Sequence, residues 1–170
     1  LTVNGVNYAS KTWSTAVYET QQDLPADSNM MTYTIGNTSL LNDIVSLGFY
    51  KNMAQSGAKW GTMDVWWSLI ETSNNNYDWS EYDKCLSKMR AEGIIPMPHL
   101  FGTPAWISSN PGETDYWAYP PADYAQWDQF VYDFVNHNKD WLIYLRIWNE
   151  PNTGYWKGSL DQFAQMVTVA

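Results

Sequence analysis

Leu142-Ile143-Tyr144-Leu145-Arg146-Ile147-Trp148 runs directly into Asn149-Glu150-Pro151-Asn152. The apolar run reads as a buried strand, and the Asn and Pro residues end it. A strand end is a stiff mounting point, so a carboxyl there faces whatever lies beyond the sheet. Pro151 disfavours the helical region for the residue before it and predicts extended backbone at Glu150. Asn149 beside it carries both a donor and an acceptor, suited to a sugar hydroxyl.

Upstream, the same unit recurs. Ala58 through Trp67 reads as a buried strand and the start of a loop, with Asn74-Asn75-Asn76 as a turn. Asp78 or Ser80 can cap a helix whose Tyr82, Leu86 and Met89 share one face, and Gly93 stops it. Ile94 through Leu100 is the next strand, although Pro96 and Pro98 each remove a ladder donor. A long loop with Trp106, Pro111 and Trp117 leads to a helix predicted over Ala122–Asn138. A last helix is predicted from Ser159 to Ala170. Toward the N-terminus, Val3, Val6 and Tyr8, or Met31 to Ile35, offer a first strand. Leu40–Ser56 has a helical pattern that Gly48 can break and Gly57 ends.

Strands alternating with helices imply parallel strands and crossovers. Loops are long after each strand and short before it, as an active face at the strand C-termini requires. The expected fold is α/β, a (β/α)8 TIM barrel represented by about its first four β/α units. Residues 1–170 are expected to form one domain. A complete barrel typically takes about 250 residues, against 170 here. A doubly wound sheet is the competing layout, but no Gly-rich phosphate loop follows a strand.

Composition narrows the function. The chain has 11 Trp and 12 Tyr, more than a core alone usually requires. Aromatic faces also stack on sugar rings, so a carbohydrate site competes with a Trp-rich core. A formal net charge of −9 argues against nucleic acid. No apolar run spans a bilayer, so no membrane partner is expected. One cysteine, Cys85, excludes an internal disulfide. His99 and His137 have no metal-ligand spacing, and neither a metal nor a cofactor is expected. The sequon Asn37-Thr38-Ser39 is weak support for export, and an extracellular location is the expectation.

Ile147 to Asn152, followed by Tyr155-Trp156-Lys157-Gly158, resembles the fourth-strand motif of clan A glycoside hydrolases, most nearly family 39, which includes β-xylosidases. Three further stretches resemble the clan in the right order. They are Lys59-Trp60 through Trp67 with Ile70-Glu71, then Asp78-Trp79-Ser80 with Tyr82-Asp83, then Thr103-Pro104-Ala105-Trp106. The resemblance implies a retaining glycosidase acting on β-linked oligo- or polysaccharides. It makes Glu150 the general acid/base and Asn149 the ligand of the 2-hydroxyl. The clan's nucleophile is a second Glu at the seventh strand, beyond this sequence. Where the clan places an Arg on the second strand, this chain has Thr62, which supplies no charge to support a nucleophile.

Other candidates are weaker. Trp66, Trp67 and Trp106 lie just past strand ends and could stack on sugar, or pack. His99 could bind a hydroxyl, or be a core histidine. Asp64 is a supporting residue at most. Glu71 and Glu113 read as solvated loop charges, Arg146 as part of an ion pair at the rim, and Trp156 as packing under the loop after Glu150. The competing function is a non-catalytic carbohydrate-binding or truncated barrel. Self-association or a missing C-terminal half is expected to cover the open edges. These 170 residues are expected to hydrolyse aryl glycosides negligibly in a colorimetric assay.

Overall fold

The computed structural model describes residues 48–170, together with the backbone of Thr2–Val3, Val6–Asn7 and Met31–Thr34. Strands β1 (Thr2–Val3) and β2 (Val6–Asn7) pair antiparallel. Strand β3 is Met31–Thr34. The sequon and residues 40–47 of the Leu40–Ser56 helical pattern lie outside the described residues. The described part of that pattern is α1 (Phe49–Gln55), which starts after Gly48 at φ 65 and is followed by Gly57 at φ 89.

Strand β4 (Trp60–Trp66) leads into a short helix, α2 (Trp67–Ile70), and a hairpin of β5 (Glu71–Ser73) and β6 (Asn76–Tyr77). Asn75 turns that hairpin at φ 58, a conformation Asn tolerates better than most residues. Helix α3 (Ser80–Ala91) begins where Asp78 Oδ1 accepts the Ser80 backbone N–H at 3.0 Å. Its buried residues include Tyr82, Leu86 and Met89, the face the spacing predicts. Strand β7 (Ile95–Phe101) follows Gly93. A long loop with a 3-10 turn (Tyr116–Ala118) leads to α4 (Tyr124–Asn138), capped by Asp123. Strand β8 (Arg146–Ile147) precedes α5 (Leu160–Val169), which opens with a Ser159/Gln162 capping box.

The main sheet is parallel and four-stranded, in the order β3-β4-β7-β8. The fold is therefore α/β. The sheet has two distinct faces. A Cβ on Gly61 would strike Met89 Cε and come within 2.9 Å of Ile94 Cγ2, so the odd-numbered positions of β4 face the helices. Strand periodicity then puts Trp60, Thr62, Asp64 and Trp66 on the other face. A ring contact of 5.0 Å between Trp60 and Tyr144 agrees with this.

The last strand is shorter than its sequence predicts. Leu142 to Trp148 reads as a strand, but only Arg146–Ile147 pairs, with His99 and Leu100. The reason lies in the neighbour. Ile95 donates its N–H toward β4, to Lys59 O, while Leu100 O accepts from Trp148 on the β8 side. Alternate residues of a parallel strand bond to opposite neighbours, so Pro96 and Pro98 fall on the β8 side, where they offer no donor. The ladder forms only beyond them. Ile143 and Tyr144 are left 63% and 51% exposed.

The core lies between the sheet and α1, α3, α4 and α5. Trp67, Trp127, Phe130 and Phe134 are fully buried, and Trp67 stacks on Phe130 at 5.4 Å. Gly61→Ala should destabilise the fold by about 1–3 kcal/mol through overpacking against Met89 and Ile94. A chemical-denaturation midpoint unchanged by that substitution would contradict the packing.

Candidate active site

Because β4, β7 and β8 run parallel, their C-terminal ends and the loops that follow share one rim. Trp66 and Phe101 are register partners at the ends of β4 and β7. Asn149 and Glu150 lie just past β8 on the same side. Asn149 is buried and Glu150 exposed.

Extended backbone is expected at Glu150, and the structure corrects that. Its φ is 43, and Trp148 has φ 64. The chain reverses at once after the strand. Thr153 donates to Glu150 O through both its N–H, at 3.0 Å, and its hydroxyl, at 2.8 Å. That reversal lets the Trp148 indole donate to Tyr155 O at 2.8 Å. Turn closure and burial of Trp148 outweigh the preference imposed by Pro151. Trp148 is consequently a core side chain.

The loop carrying Glu150 is fastened to the loop after β7. Lys157 N–H donates to Ala118 O at 2.9 Å. Lys157 Nζ lies 2.5 Å from Asp115 Oδ2 and over the Tyr119 ring. That hydrogen-bonded ion pair holds the Asp115 carboxyl below its ordinary value and the Lys157 ammonium above its own. Trp156 is buried beneath, 4.9 Å from Trp148, as the sequence predicts.

The remaining candidates divide. Trp66 is half-buried at the rim. Trp67 has no exposed surface and stands within the core, so its candidacy for sugar stacking fails. Trp106 is half-buried, and its indole N–H donates to Glu71 O at 2.9 Å. His99 has no exposed surface, and its Nδ1 is 3.5 Å from Asp64 Oδ1. It is a buried histidine, one repeat of the pleat below the rim. Asp64, His99 and Arg146 occupy one register row, on the face opposite the helices. Arg146 is exposed and makes no ion pair among the described residues, against the expected bridge at the rim.

Glu71 is the residue the sequence misassigns most clearly. It reads as a solvated loop charge, yet it is 1% exposed. Its two oxygens accept from Trp67 Nε1 at 2.6 Å and from the Asn75 backbone N–H at 2.7 Å. Its backbone oxygen holds Trp106. The signal available was Trp67 four residues earlier, one helical turn away. Burial raises the Glu71 pKa, the two hydrogen bonds oppose the rise, and the nearby Asp133 adds to it. Two surface hollows are lined elsewhere. One, of about 480 Å³, lies between α4 and α5 around Asp123, Asp128 and Gln165. The other, of about 260 Å³, lies at Arg90, Ile95 and Trp141.

The fold matches parts of solved glycosidases. A monomeric β-xylosidase from Caulobacter crescentus CB15 superposes with TM-score 0.65 and 19% identity, covering 82% of this chain and 32% of that one. A family 39 enzyme from Xanthomonas axonopodis pv. citri gives TM-score 0.63 and 19% identity over the same shares. The fold is similar to part of that of family 39 β-xylosidases. The catalytic domain of a β-amylase from Paenibacillus polymyxa also matches, with TM-score 0.54 and 18% identity over 69% of this chain and 36% of that one. The chain thus spans about a third of the length of the solved structures it matches. No protein-family model and no curated protein matches it in sequence.

Glu71→Ala strips two donors of their acceptor and should cost about 2–4 kcal/mol, read by chemical denaturation. The pH dependence has a definite sign. A carboxyl whose folded pKa is raised stabilises fully below its unfolded value, and that contribution is lost as pH rises through the folded value. The stability of the native protein relative to Glu71→Gln should therefore fall as pH rises above the ordinary carboxylate range. A rise would contradict the burial of this charge.

Proposed function

We propose that this chain is part of a retaining glycoside hydrolase cleaving β-linked oligo- or polysaccharides, β-xylosides among them, and acting outside the cell. Glu150 serves as general acid/base, and Asn149 binds the hydroxyl next to the scissile bond. The observation that carries this reading is the position of Asn149-Glu150, directly after β8 on the rim where β4 and β7 also end, in a fold shared with β-xylosidases. Glycosidic cleavage needs one carboxyl to protonate the leaving oxygen and a second about 5–5.5 Å away to attack the anomeric carbon. The second role is given to no residue of this chain.

A non-catalytic carbohydrate-binding protein is the second reading, and Thr62 favours it. The clan's Arg position holds a buried hydroxyl side chain without charge. Arg146 shares that sheet face but stands two strands away, in the next row toward the rim. The outer edge of β8 and the exposed Ile143 and Tyr144 fit a covering partner, either a second copy or further strands of the same polypeptide. On size-exclusion chromatography the isolated chain should then run larger than 19.6 kDa, and a clean monomer would count against this surface.

In the protein that carries this chain, Glu150→Gln should lower hydrolysis of aryl β-xylosides with poor leaving groups by about 10²–10⁴-fold. Substrates with acidic phenol leaving groups, which need little protonation, should be affected less in their first step. Undiminished hydrolysis of the poor leaving groups would remove Glu150 from the mechanism.

A further inference from the structure

Strand β8 pairs through Arg146–Ile147 alone, so the sheet by itself gives little hold on the turn that carries Glu150. That turn is nevertheless sharp, with positive φ at both Trp148 and Glu150. Contacts further along the chain fix it. The Trp148 indole donates to Tyr155 O at 2.8 Å, and Trp156 packs against Trp148 at 4.9 Å. Trp156 Nε1 donates to Ser159 O at 3.1 Å. A Cβ on Gly158 would come within 2.6 Å of the Trp156 ring, so the chain there must be bare. The backbone on both sides of Lys157 is thereby set.

Lys157 meets the 3-10 turn after β7 at both of its ends. Its Nζ donates to Asp115 Oδ2 at the start of that turn, at 2.5 Å. Its backbone N–H donates to Ala118 O at the end, at 2.9 Å. Its ammonium also stands 5.3 Å from the centre of the Tyr119 ring. The turn is closed on itself by Ala118 N–H, which donates to Asp115 O at 2.9 Å. Thr103 fastens it to the end of β7, donating its N–H to Trp117 O at 2.9 Å and its hydroxyl to Tyr119 O at 2.6 Å. A continuous path therefore runs from the long β4–β7 ladder through Thr103, the 3-10 turn and Lys157 into the loop of Glu150. Because Asp115 is held below its ordinary pKa and Lys157 above its own, both ends of the pair stay charged in acid and at neutrality.

We infer that Lys157 and Asp115 are positioning residues for Glu150: their ion pair substitutes for the strand pairing that β8 lacks and sets where the Glu150 carboxyl stands relative to the loop after β7. The role given to Glu150 rests on the glycosidase reading above, while the hold on its turn does not. Both residues act through the turn. A general acid delivers its proton only across hydrogen-bond distance, so a carboxyl displaced by a fraction of an ångström protonates the leaving oxygen poorly while substrate still binds. The loss falls on substrates whose leaving group needs that proton.

The test has two readouts. In the chain itself, amide hydrogen exchange is followed at Thr153, whose N–H donates to Glu150 O. Asp115→Asn and Lys157→Met should each speed that exchange by about two- to fivefold with circular dichroism unchanged. Lys157→Arg should restore most of the protection, and the double variant should exchange no faster than the faster single one. In the protein that carries this chain, kcat/KM is compared for phenyl β-xyloside, a poor leaving group, and dinitrophenyl β-xyloside, a good one. Asp115→Asn should lower the ratio of the first to the second by about three- to tenfold, with KM little changed. Loosening of the fold without a positioning role would lower both substrates alike. Native exchange at Thr153 in both single variants overturns the inference, and so does an unchanged substrate ratio. If circular dichroism shows Asp115→Asn unfolded, Lys157→Met decides. Hydrolysis intact in Glu150→Gln would remove the glycosidase reading, and exchange at Thr153 would still decide whether the pair holds the turn. Hydrolysis lost in Glu150→Gln, with exchange and substrate ratio native in the other variants, would discard the positioning pair alone.

Discussion

The parallel ladder between β4 and β7 governs the rest of the structure. It runs in unbroken register from Trp60↔Ile95 to Trp66↔Phe101, so the two strands stop side by side. Three loops are thereby obliged to leave one rim: those after Trp66, after Phe101 and, through the short pairing of β8, after Ile147. The same register aligns Asp64 with His99 and His99 with Arg146, which places polar side chains on one face while Gly61, Met63 and Val65 meet the helices. A slip of one residue would exchange those faces and bury the charges among methionines.

The aromatic residues are divided between two tasks. Inside, Trp67, Trp127, Phe130 and Phe134 supply apolar area, and each buried indole finds an acceptor in Glu71 or a backbone carbonyl. A buried indole N–H left without one costs about 1–3 kcal/mol, which explains why a carboxylate is retained at Glu71 despite its own burial. At the rim, Trp66, Trp117 and Tyr155 touch mostly edge to face and keep exposed surface. The core therefore stiffens the platform from which the rim residues project.

Backbone strain gathers in the turn after β8. Trp148 and Glu150 both adopt positive φ, an arrangement that costs about 1–2 kcal/mol per non-Gly residue. The turn to Thr153, the indole bond of Trp148 and the clamp through Lys157 hold it. Such over-determined strain is characteristic of sites where one geometry matters.

Much of this was legible in the sequence. Alternating strand and helix patterns indicated the parallel α/β class, and Tyr82, Leu86 and Met89 declared their buried face by helical spacing alone. Asn149-Glu150 at a strand end was visible because the signals are local: an apolar run, then turn residues. Tertiary structure decided what depends on partners distant in the chain. Pro96 and Pro98 shortened a strand more than forty residues away by withholding donors. Whether Trp67 stacks on sugar or on Phe130, and whether Glu71 meets water or an indole, depends on which elements pack over them. Sequence periodicity determines which side of an element is apolar; the identity of what lies against that side is fixed only when the chain closes on itself.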